Sequence, residues 1–160
     1  MLQRLNIATD IIFGSDSLRD FSLPPGKVLY VTSASVDDET YRPIENLLES
    51  HVGAVTRIKK PVGEPSSTDI DEAYANVGSF DSVLAIGGGS TLDFAKALAL
   101  LGGSGGKIAE YEFGDRVVVD VKPLYLAPTT CGSGSEVTPY TVINNSITGR
   151  KFTLHHPDFR

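Results

Sequence analysis

The amino-acid sequence predicts an α/β fold: a Rossmann-like, mostly parallel sheet with helices on both faces, preceded by an N-terminal β segment. Three observations carry that expectation. Strand-like runs such as KVLYVT (27–32) and SVLAI (82–86) hold an unbroken apolar stretch instead of an alternating one, the pattern of strands covered on both faces. Helix-like stretches separate them, as parallel neighbours require. Glycines stand where a strand passes into a helix, most densely in IGGGST (86–91).

Residues 5–13 read as extended, rich in β-branched side chains and ended by Gly14, and 15–21 as a short helix before the Pro24-Pro25-Gly26 turn. Residues 27–32 form the first parallel strand. A helix over 37–50 follows with Leu47 and Leu48 inward, then a second strand at 54–59 and a second helix at 68–77. The third strand, 82–86, leads into a helix over 89–101 whose apolar positions include Leu92, Phe94, Ala95, Leu98 and Ala99. LGGSGGK (101–107) is the one low-complexity piece. Beyond it, 117–119 and 123–127 read as extended, and 141–144 and 151–154 as a strand pair joined by a turn at Thr148-Gly149.

Composition narrows function before any motif does. At 160 residues, one domain with a sizeable core is expected. A net charge of −6 supplies no electrostatic footprint for nucleic acid, so a phosphate-bearing ligand would have to be held by backbone N–H groups and helix N-termini. One cysteine precludes an internal disulfide and a Cys-based zinc site. No apolar run nears the roughly 18 residues of a membrane span, and the opening MLQRLNIATDIIFG lacks the features of a signal peptide. The expectation is a cytoplasmic protein with no membrane and no nucleic-acid partner.

Two segments carry chemistry. In Gly87-Gly88-Gly89-Ser90-Thr91-Leu92-Asp93, three successive glycines remove every Cβ from the turn, so that a ligand can approach the backbone. The helix that follows aims free N–H groups and its positive dipole end at the same space, which suits a diphosphate. A tight strand-to-helix turn that binds nothing has the same composition. The motif is neither G-x-G-x-x-G, since Leu92 holds the third glycine position, nor a P-loop, since Lys107 is followed by Ile108. Ser90 is expected to cap the helix with Asp93 three residues on, and Asp93 to pair with Lys96. The second segment, PTTCGSGSEVT (128–138), follows another buried strand and is dense in hydroxyls. Both segments leave the carboxyl edge of the same sheet, where open α/β sheets bind ligands.

GGGSTLDFAKA (87–97) and PTTCGSGSEVT (128–138) closely resemble the two signature segments of the iron-containing (group III) alcohol dehydrogenases, within the dehydroquinate-synthase-like superfamily. The resemblance extends along the chain through IIFG, KVLYVT, Glu64-Pro65-Ser66 and TGRKFTL. It implies an N-terminal NAD(P)-binding α/β domain, here 1–160, and a C-terminal helical domain in which one Asp and three His hold iron or zinc. That helical domain is expected to be absent from this chain. In the full-length enzyme the metal would act as a Lewis acid on an alcohol or aldehyde while hydride passes between it and NAD or NADP. The isolated domain is expected to be inactive. An uncovered edge at 5–13, and a surface meant for the helical domain, lead to an expected homodimer. The alternatives are a non-catalytic nucleotide-binding module and a glycerol or polyol dehydrogenase relative.

Residue by residue, the resemblance implies that Gly88, Gly89 and Ser90 hold the pyrophosphate, with Gly87 and Asp93 beside them. Thr129 and Thr130 face the phosphate or nicotinamide, Ser135 and Tyr140 line the groove, and Lys151 reaches the ribose next to the nicotinamide. Ser33 ends the first parallel strand, where the family often has an acidic residue for the adenine ribose, so NAD versus NADP stays open. Glu64-Pro65 stands where Asn-Pro is common, and Cys131 where a small residue is usual. With no His near it in sequence, Cys131 reads as a small packing residue. His155 and His156 are adjacent on a strand, point to opposite faces and so do not share an ion; His51 reads as a solvated helix end. No catalytic or metal-ligating residue is assigned within the chain.

Overall fold

The structure, a computed structural model, describes residues 9–17, 21–51 and 53–160. The parallel sheet is built from β1 (Lys27–Ser33), β2 (Ala54–Lys60), β3 (Ser82–Gly87) and β4 (Leu124–Pro128), in the order β2-β1-β3-β4 with every pair parallel. The connections are helices α1 (Asp38–His51), α2 (Ser67–Val77) and α3 (Gly89–Ser104). Successive strand side chains point to opposite faces, so each continuous apolar run feeds two cores. Leu29, Val31, Val83 and Ala85 join the cluster of α2 and α3; Val28, Tyr30, Leu84 and Ile86 join Tyr41 and Leu48 of α1. The helices therefore cover both faces, as the sequence predicts.

An antiparallel hairpin, β5 (Tyr140–Asn144) and β6 (Lys151–His155), completes the architecture. Its inward residues Ile143, Phe152 and Leu154 belong to the same cluster as α3. Contacted by both β3 and β5, one from each sheet, α3 is buried all round from Leu92 to Leu101 except at Asp93, which explains its lack of a polar face.

Several expectations change in the structure. The extended segment expected at 5–13 lies partly outside the described residues; 9–13 form no strand, and Ile11, Ile12 and Phe13 are exposed. A strand needs a neighbour to accept its ladder bonds, and among the described residues none pairs with this stretch. The short helix expected at 15–21 begins at Ser17 but 18–20 lie outside the described residues, as do the side chains of Leu47 and His51. Residues 117–119 are not in the sheet: Val117 and Val119 are exposed, and the N–H groups of Val119 and Asp120 donate to Ser104 Oγ at 2.9 and 3.0 Å.

The glycine-rich run after Leu101 is largely helix. α3 continues through Gly102 and Gly103 to Ser104 and ends at Gly105, whose φ of 69° suits only a residue without a side chain. A Cβ on Gly102 would stand 2.5 Å from the Phe80 ring, and one on Gly103 2.3 Å from the Asp120 carbonyl oxygen. These glycines let a ring and a backbone approach the helix closely. Among the described residues no helix is long and apolar enough to cross a membrane.

Candidate functional site

β3 and β4 are neighbours with Gly87 opposite Pro128, so the glycine turn and the hydroxyl-rich loop leave the sheet side by side. The Thr129 N–H donates to the Gly87 carbonyl at 2.9 Å. A Cβ on Gly88 would meet Thr130 Oγ1 at 3.2 Å, and one on Gly89 would meet Ser133 Oγ at 2.4 Å. The glycines thus serve packing first: they let the second loop lie on the first.

Gly88, extended at φ −75° and ψ 174°, is the N-cap of α3, with no side-chain cap. Ser90 therefore does not cap the helix. The extended backbone that a cap needs falls two residues earlier, which puts the Ser90 hydroxyl in the first turn. The N–H groups of Thr91 and Leu92 donate to the Gly88 carbonyl at 2.8 and 3.2 Å. Those of Gly89 and Ser90 precede any intrahelical acceptor and point out of the helix end. Beside that end runs a groove lined by Glu64, Pro65, Gly89, Ser90, Asp93, Ser133, Val142 and Asn144.

Asp93 underlies the groove. Its carboxylate accepts from Ser135 Oγ at 2.6 Å and from the Val142 N–H at 3.4 Å. Burial pushes its pKa above the usual carboxylate value, against the pull of the Ser135 hydroxyl, the Lys96 charge and the Val142 N–H. The expected ion pair with Lys96 does not form. The Lys96 ammonium donates instead to the carbonyls of Ser135, Thr138 and Tyr140, the last two at 2.8 Å each.

Of the residues singled out in the sequence, Gly89, Ser90 and Asp93 line the groove, while Gly87, Gly88, Thr129 and Thr130 form the joint beside it. Ser135 is buried beneath, bonded to Asp93, instead of lining the groove. Lys151 reaches the rim, where its ammonium pairs with Glu64 Oε1 at 2.6 Å; Asn144 Nδ2 donates to the other Glu64 oxygen at 3.0 Å. These two bonds hold the Glu64 carboxyl below its ordinary pKa. Tyr140 is exposed on the hairpin, its ring 5.0 Å from that of His155. Ser33 closes β1 on the same sheet edge but outside the groove, its Oγ 2.7 Å from Ser35 Oγ.

Cys131 is exposed, not a packing residue, because its loop sits on the outside of the glycine turn. His155 turns to Tyr140, whereas His156 Nδ1 accepts from the Asp158 N–H at 3.3 Å. Among the described residues no group of three His, Cys, Asp or Glu side chains could hold a metal ion.

Ser133, Val142, Asn144 and the role of Lys96 escape a reading of the sequence. Asn144 is 80 residues from its partner Glu64, a separation no local pattern spans. Lys96 did leave a signal: a lone cation inside the apolar stretch DFAKALALL is tolerated only when its protons are taken up.

The family model described as iron-containing alcohol dehydrogenase matches residues 8–160. The chain is 42% identical over 105 residues to the probable alcohol dehydrogenase EutG of Escherichia coli K12, covering 64% of this chain and 27% of that protein. To the NAD-dependent methanol dehydrogenase of Bacillus methanolicus it is 36% identical over 85 residues, covering 52% of this chain and 22% of that one. Among solved structures, the archaeal Red Sea brine pool alcohol dehydrogenase ADH/D1, bound to NZQ, superposes with a TM-score of 0.81 at 28% identity, over 99% of this chain and 44% of its own. The matches thus span less than a third of both curated relatives and under half of the solved one. This chain belongs to the iron-containing alcohol dehydrogenase family.

Proposed function

We propose that this chain is the NAD(P)-binding α/β domain of a metal-dependent alcohol dehydrogenase that moves hydride between an alcohol or aldehyde and the nicotinamide. One observation carries this: the glycine turn after β3 and the hydroxyl loop after β4 meet at the open end of α3, beside a groove at the carboxyl edge of the sheet. On this reading the N–H groups of Gly89 and Ser90 receive the pyrophosphate and Thr129, Thr130 and Ser133 offer hydroxyls to it. Lys151, held at the rim by Glu64, faces the ribose nearer the nicotinamide. The NAD dependence of the Bacillus methanolicus relative supports the choice of cofactor. Bound there, the cofactor would supply the hydride acceptor, and the chain's own part is to bind and orient it.

A metal does not fit the donors that the described residues offer, so no step of metal chemistry is assigned to them. Calorimetric titration of the chain with NADH and with ADP-ribose tests the proposal. Saturable one-site binding of both is expected, and no heat from either would defeat it.

Cofactor choice follows from the end of β1. Among the described residues, the two carboxylates that follow β1, Asp37 and Asp38, already have partners. Asp37 caps α1, accepting from the Thr40 N–H at 3.0 Å, and Asp38 is paired with Arg57 and Lys59 at 2.8 Å each. Lys60, at the end of β2 beside Ser33, adds a buried positive charge to this edge. NADPH should therefore bind within about tenfold of NADH, and Ser33→Asp should widen the gap against NADPH by a further tenfold or so, about 1.4 kcal/mol. Dissociation constants for both cofactors check this. A wild-type chain that already excludes NADPH a hundredfold would remove Ser33 from the choice.

A further inference from the structure

Lys96 stands in the middle of α3 and is fully buried. A buried ammonium is costly unless its protons are taken up. Here three N–H groups meet three acceptors, the carbonyls of Ser135, Thr138 and Tyr140. All three acceptors lie on one segment, from the 3-10 turn Ser135–Val137 through its C-cap Thr138 to the first residue of β5. The same segment hangs on α3 through Asp93, which takes bonds from Ser135, Thr141 and Val142. Ser133 is tied to it by the Ser135 N–H at 3.2 Å, and Ser133 and Val142 both line the groove. Lys96 itself does not line it.

We propose that Lys96 is the positioning residue of this site: its buried ammonium pins the segment from Ser133 to Val142 onto α3 and so sets the groove wall that faces the cofactor. For its ligand the proposal rests on the nucleotide-binding reading above; the pinning rests on the backbone bonds alone. Burial lowers the Lys96 pKa to about 8, with Asp93 on its own helix and Glu136 on the 3-10 turn pulling it back up. Among the described residues β1, β3, β4, β5 and α2, which also pack on α3, bring no charge that acts on it. Below pH 8 three donors meet three carbonyls. Above it the neutral amine keeps two N–H groups, and its lone pair faces a carbonyl, so one anchor is lost as pH rises.

Two measurements on the full chain test this. At pH 7, amide hydrogen exchange of Lys96→Met should show protection over 133–142 falling at least tenfold, with α2 unchanged. NADH affinity of the same variant should fall at least tenfold. A folded variant with wild-type protection over 133–142 would overturn the proposal whatever the ligand does. If wild type shows the protection but binds no NADH, the nucleotide reading fails and the pinning stands. Should the Met variant not fold, the decision falls to a chain that keeps Lys96, Cys131→Ser, in which the loop carries no thiol. Its amide protection over 133–142, corrected for the intrinsic pH dependence of exchange, should drop at least fivefold between pH 7 and 9.5 with α2 unchanged, and a flat profile over that range would overturn the proposal.

Discussion

Gly89→Val is expected to cut NADH affinity at least tenfold, about 1.4 kcal/mol, while leaving the sheet and its two cores intact. The first added carbon would stand 2.4 Å from Ser133 Oγ and 2.6 Å from Ser133 Cβ, so the second loop has to leave the helix end. That loop is exposed from Thr129 to Ser133, and its displacement uncovers little apolar surface. Binding suffers because the hydroxyls move away from the free N–H groups, and global stability suffers little. Gly88→Ala makes the graded control. Its Cβ would meet only the Thr130 side chain, Oγ1 at 3.2 Å and Cγ2 at 3.6 Å, and a side chain can rotate away, so a loss of no more than about threefold is expected. Calorimetry measures both. Unchanged affinity in Gly89→Val would remove the glycine turn from the site.

Gly103→Ala sets two effects of opposite sign against each other. Helix propensity favours alanine over glycine by about 1 kcal/mol in a helix interior, so a surface helix would gain from the change. At Gly103 the new Cβ would lie 2.3 Å from the Asp120 carbonyl oxygen and 2.9 Å from the Val121 nitrogen. These are backbone atoms, held in place by the Ser104 hydroxyl and by the Lys122 N–H on the Ala99 carbonyl, and they cannot swing aside as a side chain does. Overpacking of this kind costs about 1–3 kcal/mol, so sterics should win and the chain should lose stability. Urea denaturation decides the sign. A stabilised variant would mean that α3 does not run as far as Ser104.

How legible the molecule is in its sequence depends on how local the cause is. The central strands are legible because parallel strands between two helical layers are apolar on both faces through their middle, and VLYV (28–31) and VLAI (83–86) are. The extension of α3 through Gly102 and Gly103 is not, because glycine weakens a helix locally and the reason to keep it, close approach of Phe80 and Asp120, comes from elsewhere in the chain. The glycine turn and the hydroxyl loop announce themselves by composition, and the adjacency of β3 and β4 brings them together. The wall opposite them does not announce itself. Glu64 meets Asn144 across 80 residues and Lys151 across 87, so the partner that Lys151 finds at the rim is visible only once the hairpin is folded back. Ser90 misleads for a simpler reason: a serine before an apolar run looks like a cap, yet Gly88, two residues earlier, takes the extended backbone that capping requires.

The most direct test of cofactor binding by this chain is a titration of the isotope-labelled protein with NADH, followed by backbone amide shifts. Saturable changes should concentrate at Gly88–Asp93, at Thr129–Ser133 and at the Glu64–Lys151 rim, with α1 and the far end of α3 unmoved. Binding with its shifts centred elsewhere, or no saturable shift at millimolar NADH, would contradict the placement of the cofactor at the junction of the glycine turn and the hydroxyl loop.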